Sequence, residues 1–377
     1  MFVILVDMTA THHVTIVGGG LGGLTLARVL HTRGIGATVY ELDGSAGSRD
    51  QGGILDLHLE SGQRALAEAD LLGEFQAAAI EGADLMRVLD RTGAVRYQDT
   101  TPGERPEIDR SVLKRILIDS LPAGTIRWDA KITETTPTSI TLATGERVDT
   151  DVLVGADGAW SKVRPLLSPA TPVYCGLSFV EAHIPDVDAR YPDIAELVGP
   201  GSMFALGEGK GLLAQHNGDG RIRVYVALLV EEDWITSNDV TRARLVDTFA
   251  DWAPSLRALI ANSEDTLLPR PVYALPVGHR WDRVVPGVTL LGDAAHLMSP
   301  FAGEGANLAM LDAAELALAI ADHDDLETAL AGYEAAMFPR AEFAARISAG
   351  NLADSFAADA PQGMLDKLAM WAAQGAE

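Results

Sequence analysis

Val14-Thr15-Ile16-Val17-Gly18-Gly19-Gly20-Leu21-Gly22-Gly23-Leu24-Thr25-Leu26-Ala27-Arg28-Val29-Leu30 decides the fold. The β-branched run at 14–17 has the pattern of a short buried strand. Glycines then break it, and an apolar helical stretch follows. Ala37-Thr38-Val39-Tyr40-Glu41 reads as a second strand, closed by an acid. Strand, glycine turn, helix and strand make a βαβ unit, the building block of a parallel sheet. The spacing Gly18-x-Gly20-x-x-Gly23 permits a tight turn and lets a pyrophosphate approach backbone amides. The helix that starts there points its free N–H groups and positive dipole end at that phosphate. Glu41, 23 residues after Gly18, stands where an acid can accept hydrogen bonds from an adenosine ribose. The unit predicts dinucleotide binding without saying which dinucleotide.

Outward from this unit the chain is mixed. Residues 111–121 have helical apolar spacing (Val112, Leu113, Ile116, Leu117), and short alternating strands follow around Thr144-Gly145. Asp151-Val152-Leu153-Val154 reads as a buried strand that runs into Gly155-Ala156-Asp157-Gly158. From about 171 to 273 strands recur between Gly, Pro and Asn, which predicts a separate, mostly β domain. In Arg221-Ile222-Arg223-Val224-Tyr225-Val226 the alternation puts Ile222, Val224 and Val226 on the core side. Arg221, Arg223 and Tyr225 then share the other face, either as a solvated surface or with Arg223 meeting an anionic or enolic substrate oxygen. Gly287-Val288-Thr289-Leu290-Leu291 is a strand ending at Gly292-Asp293. Helical patterns cover 305–321, 326–344 and 353–373.

Of 377 residues, 47% are hydrophobic and 22% charged, an ordinary globular composition with enough apolar matter for a large core. The net charge of -24 repels phosphate backbones and anionic lipid, so nucleic acid and membrane surfaces are set aside as partners. The one cysteine, Cys175, cannot form an internal disulfide, which fits a reducing cytoplasm. No ligand spacing suggests a metal. Residues 1–6 are apolar but lack a basic flank and are too short for a signal or a span. No stretch approaches the ~18 apolar residues of a membrane helix.

Two later motifs narrow the ligand. Asp157-Gly158 lies in Val154-Gly155-Ala156-Asp157-Gly158-Ala159-Trp160-Ser161-Lys162-Val163-Arg164, and Gly292-Asp293-Ala294-Ala295-His296 follows another strand. With the glycine turn, and in this order, they resemble the FAD-dependent aromatic hydroxylases (class A flavoprotein monooxygenases). Within that family, Gly52-Gly53-Ile54-Leu55-Asp56-Leu57-His58, Pro106-Glu107-Ile108-Asp109-Arg110 and the run from Gly292 to Asn307 resemble the tetracycline-inactivating flavin monooxygenases.

The resemblance implies an α/β fold: a Rossmann-like FAD-binding domain at 1–170 and 276–330, an inserted mostly β substrate domain at 171–275, and a C-terminal helical segment at 331–377 bridging the two. FAD is the implied bound cofactor, and NADPH or NADH the cosubstrate. Gly18, Gly20, Gly23 and Glu41 would hold the pyrophosphate and ribose, with Arg110 and Lys114 along the FAD. Asp293 would hold a ribityl hydroxyl, and Asp157-Gly158 would serve FAD and the incoming nicotinamide. Gly53, Asp56, Leu57, Pro300, Gly303, Gly305, Ala306 and Asn307 would surround the flavin end. The subfamily usually has Arg where this chain has Lys114 and Leu42, and Gln where it has Glu304. An acid at a helix N-terminus also suggests a plain helix cap for Glu304.

The resemblance further implies that NAD(P)H reduces the FAD, oxygen adds at the flavin C4a, and the hydroperoxide passes an oxygen atom to an electron-rich substrate. No catalytic side chain is nominated, and His296 reads mainly as a structural residue. The substrate pocket would include Glu181, Met203, Arg223, Tyr225, Pro300, Phe301 and Ala302. The polar residues that grip tetracycline in the subfamily fall near Glu181, Met203 and Arg223, and none is kept. The expected activity is hydroxylation or epoxidation of a small aromatic or polyketide-like molecule, with tetracycline inactivation within its range, by a monomer. The alternatives are a flavin-bearing drug-sequestering protein, a flavin reductase, or a halogenase, whose Trp-x-Trp-x-Ile-Pro signature is absent.

Overall fold

The structure, a computed structural model, describes residues 12–48, 53–80, 85–100, 106–236 and 240–374. The apolar start at 1–6 and Gly52 of the Gly52-Gly53 motif lie outside the described residues.

A five-stranded sheet runs in the order Val288–Leu290, Val152–Gly155, Val14–Val17, Ala37–Tyr40, Ile126–Arg127. Every pairing in it is parallel. Val14–Val17 and Val152–Gly155 are buried at every position, as expected of strands covered on both faces. The helices Leu21–Thr32 and Gly305–Asp322 pack against one another beside this sheet. Gly22 allows the close approach: a Cβ there would lie 2.7 Å from Leu291 Cδ1.

A seven-stranded sheet forms the second layer system. Its order is Leu268–Ala274, Val173–Ile184, Ile222–Leu229, Lys210–His216, Ser202–Gly207, Leu85–Asp90, Val95–Thr100. The last two strands, which the sequence reading grouped with the dinucleotide-binding region, are recruited by a parallel pairing of Leu85–Asp90 with Ser202–Gly207. One face of the sheet carries Val224, Val226, Leu212 and Met203 and is covered by helices, including Leu245, Leu256 and Ile260. The opposite face carries Phe179 and Ala227, with Tyr225, Phe301 and Phe356 packed against it. The expected alternation of Ile222, Val224 and Val226 is therefore present. Its other face is not a solvated surface, because Arg223 is 3% exposed.

The two helical patterns expected at 326–344 and 353–373 differ from the structure. One 30-residue helix spans Leu326–Ser355, and a second spans Gln362–Gln374. The long helix runs through Gly350, which costs about 1 kcal/mol of propensity. Tertiary anchors outweigh that cost. Asn351 Nδ2 donates to Phe301 O at 2.8 Å, and the Ser348 and Ser299 hydroxyls meet at 2.6 Å. The Tyr333 O–H donates to Leu290 O at 2.9 Å, and Phe356, just past the helix end, joins the seven-stranded sheet. The helix thus links both sheets. Among the described residues no helix is long and apolar enough to cross a membrane.

Candidate cofactor and substrate site

The ends of three adjacent parallel strands supply one groove. After Val14–Val17 the chain turns at Gly18, whose φ of +106° is strained for an L side chain and whose Cβ would lie 2.3 Å from Ala156 O. At Gly23 a Cβ would fall 2.0 Å from Gly18 O, whereas at Gly20 it would meet nothing within 4 Å. The turn is tight inside and open outside. Helix Leu21–Thr32 starts at Gly20 with no side-chain cap and no acid in its first turn, so its first amides face the opening without a partner from a cap. Glu41 is buried. Its Oε2 accepts the Gly19 N–H (2.5 Å) and its Oε1 accepts the Asp43 N–H (2.8 Å). It therefore shapes the glycine turn as well as closing the second strand. Lys114 is also buried in this corner, with Nζ 3.9 Å from Asp43 Oδ2.

The strand Val152–Gly155 leads into Asp157-Gly158. Asp157 Oδ2 accepts the Lys162 N–H at 2.6 Å, while its Oδ1 is buried without a hydrogen-bond partner. Burial pushes this carboxyl up. The strand Val288–Leu290 leads into Gly292-Asp293. Asp293 is open to solvent, yet enough protein surrounds it that desolvation raises its pKa against the pull of His296, Arg110 and Arg164. A solvent-reached acid inside a dense shell is a group on the floor of a groove. The buried Arg164 ties the two loops together. It donates to Ala159 O (2.6 Å) and Ala294 O (3.1 Å).

His296 is structural. Its Nε2–H donates to Asp312 Oδ2 at 2.6 Å, and Arg340 holds Asp312 Oδ1 at 2.9 Å. Burial disfavours the imidazolium, but Asp312 outweighs it and the pKa is raised.

The far end of the groove is clamped by Asn307. Its Oδ1 accepts the N–H groups of His58 (3.0 Å) and Gly62 (3.2 Å), and its Nδ2 donates to Asp56 O (2.9 Å) and Gly303 O (3.2 Å). His58 bridges Asp56 Oδ2 (3.1 Å) and Glu304 Oε1 (3.2 Å). The bonds to Asp56 and Glu304 push its pKa up to about 9. Glu304 sits at the N-cap of helix Gly305–Asp322 but makes no capping bond; the expectation of a plain cap fails because the imidazolium is the stronger partner. Leu57 is fully buried, and its N–H and carbonyl are bonded to Pro106 O and Gln63 Nε2. It belongs to the core rather than to the groove. Arg110 opens the helix Arg110–Asp119, with its N–H on Gly53 O at 2.9 Å.

Of the expected pocket residues, Glu181, Arg223 and Tyr225 share one sheet face with Phe301. Phe179 lies 5.5 Å from Tyr225 and 6.1 Å from Phe301, ring to ring. Pro300 and Ala302 flank Phe301 in a short 3-10 turn. Glu181 accepts from His183 (3.0 Å) and Arg270 (3.0 Å) and lies 3.6 Å from Arg223. Burial raises its pKa, but the hydrogen bonds from His183 and Arg270 and the charges of Arg223 and Arg270 outweigh it and hold it at about 2. Arg223 also presses on the loop at Gly53, where a Cβ would lie 3.1 Å from its Nη1. Met203 does not join them. It is fully buried on the opposite, helix-covered face, because its partner Ala214 pairs in turn with Val224.

The family model described as FAD binding domain matches residues 11–347. The chain belongs to the class A flavin monooxygenase family. It is 32% identical over 423 residues to the monooxygenase asqM of Emericella nidulans, covering 91% of this chain and 95% of that one. Among solved structures it is similar to Klebsiella pneumoniae HpxO complexed with FAD and uric acid (TM-score 0.78, 22% identity, 95% and 92% covered). It is also similar to the tetracycline destructase Tet(55) (TM-score 0.75, 18% identity, 96% and 94% covered). These two likenesses show the fold.

The groove fits the family's cofactor on its own geometry. The space at Gly20, the partnerless Oδ1 of Asp157 and the exposed Asp293 are what a bound dinucleotide flavin would complete. Sequence reasoning missed Arg164, His58 and Arg270. The signal for Arg164 was present, since a basic residue closes the Asp157-Gly158 segment. Those for His58 and Arg270 were not: His58 has Asp56 two residues away, but its second partner Glu304 and Arg270's partner Glu181 lie far away in sequence.

Proposed function

We propose that this flavin monooxygenase takes NADPH or NADH and oxygen to oxidise a small, electron-rich aromatic or polyketide-like substrate, with tetracycline-type scaffolds inside that class. The observation that carries the reading is the convergence of the glycine turn, Asp157 and Asp293 at the carboxyl edge of one parallel sheet, where open α/β sheets bind ligands.

The residues divide as follows. The amides around Gly18, Gly20 and Gly23 would hold the pyrophosphate and Glu41 the ribose, with Arg110 and Lys114 along the cofactor. Asp157, Gly158 and Asp293 would accept from the ribityl hydroxyls and neighbouring groups. Gly53, Asp56, Pro300, Gly303, Gly305, Ala306 and Asn307 would bound the flavin end. FAD, when bound, supplies the hydride acceptor and the oxygen-transfer chemistry. The protein's part is to bind, orient and exclude water. The apolar wall of Phe179, Tyr225 and Phe301 excludes water from the substrate, and the buried Arg223–Glu181 pair sets its polar edge. On this reading 1–170 with 276–330 serves the cofactor, 171–275 the substrate, and 331–377 holds them together.

The test is aerobic NADPH consumption by the FAD-loaded protein with phenolic and polyketide compounds, using labelled oxygen gas. Stimulated consumption with one labelled oxygen atom in the product supports the reading. Tight binding of a compound with no stimulation and no label overturns it in favour of sequestration.

A further inference from the structure

His58 stands on a seam between two segments that are distant in sequence. One is the turn after strand Ile54–Asp56, and the other is the loop that opens helix Gly305–Asp322. Its Nε2 lies 3.1 Å from Asp56 Oδ2 and its Nδ1 lies 3.2 Å from Glu304 Oε1. An ionised carboxylate only accepts hydrogen bonds, so both ring nitrogens must carry hydrogen. The geometry by itself therefore requires an imidazolium, and the pKa raised to about 9 agrees with it. A neutral imidazole has one N–H and could keep only one of the two acids. With 11% of the side chain exposed, little water reaches the ring to replace a lost bond.

Other charged groups surround the seam but are turned elsewhere. Strand Glu107–Asp109 sets Glu107 opposite Asp56 and Asp109 opposite Ile54, and Asp109 Oδ1 accepts the Ser111 N–H at 2.7 Å. Arg110 opens the next helix. Glu60 follows His58 along the chain, and Arg64 reaches Glu315 at 3.4 Å. Asp56 and Glu304 are the groups whose charges and hydrogen bonds raise the imidazole.

The bond to His58 takes Glu304 away from a second partner. Glu304 is the N-cap residue of an 18-residue helix, yet its side chain makes no capping bond. A carboxylate at that position is favoured by the free N–H groups and the positive end of the helix. Among the described residues the N–H groups of Gly305 and Ala306 have no acceptor, and a Cβ at Gly305 would meet nothing within 4 Å. The helix start is thus left open. The seam does not depend on His58 to stay closed, because the Asn307 side chain bonds the backbone of Asp56, His58, Gly62 and Gly303 across it.

We propose that His58 is a positioning residue for the cofactor: by holding Glu304 across the seam it keeps that carboxylate off the helix N-terminus and leaves the Gly305 and Ala306 N–H groups free for the flavin, which rests on the placement of the flavin end given above. Once the imidazolium loses its proton, or the ring is removed, Glu304 turns onto those N–H groups and competes with the cofactor. Glu304 then acts as a cap of its own helix, and FAD must displace it to bind.

The test titrates the apoprotein with FAD between pH 6 and 10, followed by quenching of flavin fluorescence. Wild type, His58→Ala, Glu304→Gln and the double variant are compared, with the melting temperature of each apoprotein as the control for folding. The wild-type dissociation constant should be level at the acid end of this range and rise about three- to tenfold as pH passes 9. His58→Ala should be weaker by the same factor at every pH. Glu304→Gln should bind like the wild type at pH 7 and lack the alkaline rise, and it also reports any titration of the cofactor itself. The double variant should recover wild-type affinity, because no carboxylate is left to compete. A clamp that only holds the fold together predicts the reverse, a double variant at least as weak as His58→Ala. That outcome, a His58→Ala protein that binds like the wild type at pH 7, or an alkaline rise that persists in Glu304→Gln each overturns the proposal. If His58→Ala melts early, wild type against Glu304→Gln across pH decides alone. Wild-type uptake of FAD with the variants unchanged overturns this inference and leaves the cofactor placement standing, whereas a wild type that takes up no FAD overturns both.

Discussion

Asp312 and Asp157 are both enclosed by protein, yet their carboxylates are treated differently. Asp312 is fully buried, and both its oxygens are taken, Oδ2 by His296 at 2.6 Å and Oδ1 by Arg340 at 2.9 Å. Its pKa is lowered, with burial opposing and His296 and Arg340 prevailing. Asp157 keeps one oxygen without a partner and is pushed up, and Asp293 nearby is likewise raised. Buried polar groups in folded proteins are nearly always satisfied. Asp312, with both oxygens taken, is therefore architecture, although His296 Nδ1 and Arg340 Nε beside it have no partner; an acid left with an unpaired oxygen at a strand end marks where a ligand finishes the bonding. Glu181 falls on the completed side, which is why it and Arg223 form a wall rather than a free grip for substrate.

The largest effect should come from removing the carboxylate whose two oxygens are both taken. Asp312→Ala strands a buried histidine and an arginine and should cost about 3–5 kcal/mol of stability, read by urea unfolding. Asp293→Asn, in the open set, should instead leave the melting temperature of the apoprotein unchanged and weaken FAD binding about tenfold to hundredfold, read by recovery of flavin fluorescence. If Asp293→Asn unfolds like Asp312→Ala, the distinction between the two sets is lost.

Glu181 extends the comparison to pH. Its folded pKa of about 2 lies below its ordinary 4.5, so its contribution is present above pH 4.5 and lost as pH falls toward 2. Glu181→Gln should cost about 1–3 kcal/mol at pH 7 and flatten acid unfolding in that window; an unchanged acid limb would contradict this. His58 works in the opposite direction. Its pKa is raised from 6.5 to about 9, so its contribution is full below pH 6.5 and is lost as pH rises through 9. His58→Gln should remove a modest loss of stability between pH 6.5 and 9, measured as urea midpoints across that range. Wild type and variant with the same slope would show that the clamp between Asp56 and Glu304 carries no weight.

The βαβ unit was legible because its determinants are local. The β-branched run at 14–17, the glycines at 18, 20 and 23 and the acid at 41 act through φ, turn geometry and neighbouring hydrogen bonds. Asp157-Gly158 and Gly292-Asp293 were legible for the same reason, each following a strand readable on its own. The alternation at Ile222, Val224 and Val226 gave the two faces of that strand, but what covers the second face was not in the pattern. Met203 was misplaced because its face depends on register through Ala214 to Val224.

Sequence alone therefore determined the parallel-sheet unit, the strand ends that shape the groove, and the family. Tertiary structure decided that Glu304 bonds His58 instead of capping its helix, that Arg164 ties two loops together, that helix Leu326–Ser355 runs on through Gly350, and that the strands at 85–100 join the larger sheet. Each of these depends on partners brought together from distant parts of the chain. Such partners replace a local preference worth about 1 kcal/mol or less with packing and charge-assisted hydrogen bonds worth more. Local spacing cannot report them.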